Sequence, residues 1–170
     1  MIRSLFRSPF WLLLVAGSSV VWADDAKESP KFEMTKEEQR LLKLLNDERK
    51  KNDLPALRPH PLLFKAARGH AKNMAKQQKM EHNLDGKKPP DRVEAAGYDW
   101  GKVSENIAMA EGGEPPLSDI VKQWMESKTH RENLLDPNVN ETGLGIARND
   151  KDEIYYAQIL ARQRKVKQGN

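Results

Sequence analysis

Apolar positions along the chain recur at spacings of three and four in several stretches, and that spacing predicts helices. Thr35 followed by Glu38 forms a capping-box pattern, and behind it Leu41, Leu42 and Leu45 continue one face up to Arg49. Asn52-Asp53-Leu54-Pro55 ends this helix, because proline disfavours helical geometry in the residue before it. Pro61 opens a second helix, on which Leu63, Ala67, His70, Ala71 and Met74 share a face. Pro89-Pro90-Asp91 starts a short third helix that Gly97 closes. Ile120, Val121, Trp124 and Met125 mark a fourth, and Thr129–Leu135 reads as a helical turn stopped by Asp136-Pro137.

Strand signals are fewer. Val103–Ala110 mixes apolar and polar positions and is expected as an inner strand. Thr142–Ala147 and Ile154–Ala161 flank the turn-forming Asn149-Asp150-Lys151-Asp152, which predicts an antiparallel hairpin with Tyr155 and Tyr156 on opposite faces. Helices first, then strands interleaved with helices and a closing hairpin, imply an α+β layered domain.

The N-terminus follows a different pattern. Arg3 and Arg7, the apolar run Phe10–Val15 and the small residue closing Val21-Trp22-Ala23 read as a secretory signal peptide over residues 1–23. The run is too short for a membrane anchor, which needs roughly 20 apolar residues. Residues 24–34 are expected as a polar tether, 35–164 as one domain and 165–170 as a short polar tail. Loss of residues 1–23 takes two of 29 basic residues and none of 25 acidic ones, so the formal net charge falls from +4 to +2. With its charges interspersed, such a chain is not expected to bind nucleic acid. The absence of cysteine removes thiolate nucleophiles, thiolate zinc sites and a lipid-modified cysteine.

No HExxH helix, G-x-S-x-G elbow or glycine-rich phosphate loop is present. Gly112-Gly113 reads as a linker, and Asp150 and Asp152 as hairpin-tip charges. Of the four histidines, His60 lies between two prolines and reads as a surface residue or one that begins the second helix. His70 lies on an apolar stripe, where a hydrogen-bonded core histidine is the first reading and a cleft role the second. His82 and His130 lie where helices meet loops. Glu105, in Ser104-Glu105-Asn106-Ile107, is a carboxylate at a strand that is expensive to bury unless paired. Two imidazoles and one carboxylate are a donor set for a divalent metal such as zinc, provided the fold gathers them across long gaps.

Together these segments resemble bacterial members of the CAP superfamily (cysteine-rich secretory, antigen 5 and pathogenesis-related proteins, or the SCP domain). The resemblance rests on Leu44-Leu45-Asn46-Asp47-Glu48-Arg49, Ala67–Ala75, Glu81-His82, Arg92-Val93 with Ala96-Gly97-Tyr98, and Ser104–Ala108. It continues through Trp124-Met125, His130–Leu135 and Thr142-Gly143-Leu144-Gly145, in order over about residues 38–161. It implies an α-β-α sandwich with a central antiparallel sheet flanked by helices, and a surface cleft. The cleft would hold His82, Glu105 and His130, with Asn106 and His70 beside them, and His82 and His130 would bind any divalent ion. Ser127 stands where many relatives carry a second glutamate, and Ser104 where a glycine is usual.

The leading functional expectation is a secreted, periplasmic or extracellular binding module for a small ligand, lipid, envelope glycan or protein. It is expected to be monomeric, with no membrane span once the signal is removed. The alternatives are a metal-dependent hydrolase using Glu105 with a His-bound metal, and a structural envelope protein.

Overall fold

The computed structural model describes residues 32–165. The signal peptide, most of the tether and most of the C-terminal tail expected above lie outside the described residues.

Helix α1 spans Lys36–Lys51 and starts on a reciprocal cap: the Glu38 N–H donates to Thr35 Oγ1 at 3.1 Å, and the Thr35 N–H to Glu38 Oε2 at 2.8 Å. Strand β1 is a two-residue piece, Arg58–Pro59, in a segment whose prolines mark it as a loop. His60 then caps α2 (Pro61–Gln77), its Nδ1 accepting from the Leu62 N–H at 3.3 Å. Helix α3 (Pro89–Ala95) begins on its prolines and is followed by Gly97 at φ +97°, a left-handed position that suits glycine. Strand β2 (Trp100–Ala110), helices α4 (Leu117–Glu126) and α5 (Lys128–Leu134), and strands β3 (Glu141–Arg148) and β4 (Ile154–Gln163) complete the order.

The sheet runs β1-β3-β4-β2, with β4 antiparallel to both β3 and β2 and β1 parallel to β3. The inner place expected for Val103–Ala110 is taken instead by β4, and β2 lies at an edge. The near-continuous apolar run of Ile154–Ala161 explains this, since a strand paired on both sides and covered on both faces must be apolar throughout.

Two cores flank the sheet, making the α-β-α sandwich. On one face Leu63, Ala67, Ala71 and Met74 of α2 pack with Val93 of α3 against Ile107, Tyr155 and Ile159. On the other, Leu41 and Leu45 of α1 and Trp124 of α4 meet Leu144, Tyr156 and Leu160. Tyr155 and Tyr156 therefore face opposite ways, as strand alternation requires. Phe32, within the expected tether, stacks at 5.0 Å on Phe64, and the Arg68 guanidinium lies over both rings. Among the described residues no helix is long and apolar enough to cross a membrane.

Backbone proximity fixes α2 to the sheet. A Cβ at Gly143 would collide with the Leu63 carbonyl group, and one at Gly145 with that of Ala67. Only glycines let β3 come this close, so the Thr-Gly-Leu-Gly pattern sets the height of α2 above the sheet.

Candidate functional site

Glu105 and Asn106 are consecutive on β2 and project to opposite faces of the sheet. On the α2 side the Glu105 carboxyl group is 1% exposed and surrounded by nitrogen. Its Oε2 accepts from Arg92 Nη2 of α3 at 2.7 Å. Its Oε1 lies 2.9 Å from Nδ1 of His82, which stands in the loop between α2 and α3. His70 Nε2 of α2 lies 3.6 Å from the same oxygen, too far for a hydrogen bond. A buried carboxylate costs several kcal/mol unless paired, and Arg92 is the partner that makes this burial tolerable.

Asn106 is fully buried and organises the other face. Its Nδ2 donates to the His130 backbone carbonyl at 3.1 Å and to Gln158 Oε1 at 3.2 Å. Its Oδ1 accepts from Asn133 Nδ2 at 3.0 Å, and the same amide group of Asn133 lies 3.2 Å from the Glu105 carbonyl oxygen. Asn106 thus tethers α5, which carries His130, to the strand that carries Glu105.

The imidazoles differ in environment. His82 is 45% exposed, with its ring anchored at Nδ1. His70 is wholly buried and neither ring nitrogen has a hydrogen-bond partner. Burial is the largest cause lowering its pKa, against the opposing pull of Glu105. The His130 pKa is also lowered, first by burial and then by the positive charge that His82 carries when protonated. His130 Nδ1 is buried without a partner.

The fold therefore brings His82, His70 and Glu105 into one cluster. It ties His130 to the same strand through Asn106, which donates to the His130 backbone carbonyl. His70 takes a buried place behind the cluster, but without the hydrogen bond expected of a core histidine. Glu126 points away: it is 68% exposed, with Lys122 Nζ 3.8 Å from its carboxylate, and Ser127 ends α4. Arg92, Asn133 and Gln158 do not stand out in composition or spacing. A buried glutamate demands a cation, but arginines and lysines are plentiful along the chain, and only the packing of α3 selects one.

The donor set can be tested against a divalent ion. If Nδ1 of His82 carries the hydrogen given to Glu105, Nε2 keeps a lone pair on the exposed side of the ring. This is the arrangement in which a carboxylate orients a metal-binding histidine from behind. Glu105 itself has one oxygen on His82 and the other on Arg92. Among the described residues no group of three His, Asp or Glu side chains is placed to hold a metal. In such a donor set Glu105 would stand behind His82 as its orienting group rather than among the ligands.

This sheet, its flanking helices and the Glu-Asn strand define the class. The chain belongs to the CAP family, whose model, described as the cysteine-rich secretory protein family, matches residues 42–160. It is 32% identical over 126 residues to the uncharacterized protein YkwD of Bacillus subtilis (strain 168), a match covering 74% of this chain and 47% of that protein. The chain thus spans about half the length of that curated relative. Among solved structures it is similar to an outer surface protein of Borrelia burgdorferi. That likeness has a TM-score of 0.70 at 21% identity, covers 78% of this chain and 97% of the other, and concerns the fold alone. It is also similar to an extracellular protein containing an SCP domain from Bacillus anthracis, with TM-score 0.64, 25% identity and coverage of 78% and 45%.

Proposed function

We propose that this chain is an exported binding module whose recognition group is His82, oriented by Glu105 at the edge strand of the sheet. One observation carries the reading: an exposed imidazole is fixed at 2.9 Å by a carboxylate that is itself buried and neutralised by Arg92. Such a ring is preorganised, so a ligand meeting Nε2 does not have to order it first. A polar envelope component or a divalent ion such as zinc fits this group, with His130, whose pKa burial lowers, as the second imidazole. The hydrolase alternative needs Glu105 as a base for metal-bound water. Its pairing with Arg92 and His82 favours the role of support instead.

The test is calorimetric titration of zinc into metal-stripped protein, a His82→Ala/His130→Ala variant and a Glu105→Gln variant. Stoichiometric binding should vanish in the double variant and weaken about 10–100-fold in Glu105→Gln, as expected for a group behind a ligand. Binding that survives in the double variant would remove these residues from the site. Export is read from residues 1–23 as a cleaved signal, and the extracellular description of the similar Bacillus anthracis protein supports it. N-terminal sequencing of protein from the envelope or medium should begin at Asp24; a chain that retains Met1 argues against cleavage.

A further inference from the structure

A cavity of about 510 Å³ opens between α2 and α3, and its wall includes Arg92 and His70, both neighbours of the Glu105 carboxylate. Its lining gathers Lys65, Lys72 and Lys76 from α2, Lys87 from the following loop, and Arg92 and His70 from the wall itself. Among the described residues none of these four lysines forms an ion pair with a carboxylate. The lining has one acidic group, Asp85, whose oxygens accept from Asn73 Nδ2 at 2.8 Å and Gln77 Nε2 at 3.0 Å. Lys72 and Lys76 stand one helical turn apart, where like charges repel. The fold thus gathers a net positive charge in a concave space, with Asp85 as the one carboxylate in its lining.

Arg92, which lines the cavity, is 10% exposed, with Nη1 and Nη2 occupied by Lys87 O and Glu105. Gly69 also lines the cavity, in the middle of α2, where glycine is unfavourable. Unlike Gly143 and Gly145, it is not there for packing: a Cβ at this position would meet nothing within 4 Å. A bare backbone there keeps the cavity open.

We propose that this cavity binds a phosphate monoester, using the lysines as point charges around the phosphate and the Arg92 side of the wall as its floor. A doubly charged oxyanion matches several convergent ammonium groups better than a single carboxylate does. The volume exceeds what one phosphate needs, and Ala66, Ala95 and Ala96 provide apolar surface for a small organic part. The monoester comes either from a soluble metabolite or from a phospholipid headgroup; the chemistry recognised is the same.

The experiment uses the whole protein at constant ionic strength, so that general screening is not mistaken for binding. One arm titrates glycerol 3-phosphate by calorimetry. The other floats protein with phosphatidic acid vesicles, against phosphatidylcholine vesicles as control. Saturable binding is expected in at least one arm, and the arm that responds identifies the source. It should weaken at least about tenfold in Lys72→Glu/Lys76→Glu and in Gly69→Leu, which fills the cavity without altering charge. A Lys36→Glu/Lys50→Glu variant, with the same charge change on α1, should bind as the native chain does. Zinc uptake should be unchanged in all three, which separates this site from His82. No binding in either arm overturns the proposal, as do equal losses in the two charge-reversal variants or native binding by Gly69→Leu.

Discussion

Glu105 and Arg92 are each nearly inaccessible, so each is worth most to the fold while the other is present. Glu105→Gln leaves a buried guanidinium without its charge partner and should cost about 3 kcal/mol in urea unfolding. Adding Arg92→Met should recover part of that loss; a double variant whose cost is the plain sum would show that the two do not act as a pair. The tyrosines make a second prediction at this scale. Burial is the largest cause raising the pKa of Tyr98, Tyr155 and Tyr156, aided at Tyr98 by Glu141 and at Tyr155, pushed up to about 12, by Glu153. The folded pKa values exceed the unfolded value near 10. Their contribution to stability is therefore complete below about pH 10 and is lost as pH rises through the folded values. Tyrosinate absorbance should not show a step at the ordinary phenol pKa; a full step there would mean that the rings are not held as described.

At the scale of elements, the contact between α2 and β3 decides whether the site exists. His70 rides on α2 and Glu105 on β2, and the height of α2 depends on Gly143 and Gly145. Backbone atoms cannot rotate out of the way as a side chain can. Gly145→Ala should thus destabilise the protein by about 2–3 kcal/mol, and, on the proposed reading of the site, it should weaken zinc uptake by displacing the helix that backs Glu105. A loss under about 1 kcal/mol would show that the close approach is not essential. The helices are legible in sequence because capping residues, prolines and a periodicity of three and four are local signals. Strand β2 is legible as a strand but not as an edge. Which strand is inner depends on which partners β4 acquires, and that is a long-range choice.

At the scale of the whole molecule, Arg49 joins parts of the chain that are far apart. From the last turns of α1 it donates Nε to the Pro55 carbonyl at 2.8 Å, Nη1 to those of Leu134 at 2.7 Å and Asp136 at 3.1 Å, and Nη2 to that of Val139 at 3.4 Å. It is 1% exposed, and burial lowers its pKa against the pull of Asp136. Arg49→Met keeps much of the volume but leaves these carbonyls unpaired, and should lower unfolding stability by about 3 kcal/mol; a loss within about 0.5 kcal/mol would assign Arg49 a surface role. By itself the amino-acid sequence determined the five helices, the closing hairpin, the family and the residue types available for chemistry. All of these depend on patterns within a few residues or on motifs read in order. Tertiary structure decided that Glu105 is neutralised by Arg92 and lies behind His82, that Asn106 works on the other face, and that four lysines scattered over residues 65–87 surround one cavity. Burial and charge density are properties of what surrounds a side chain, and those surroundings come from distant parts of the chain.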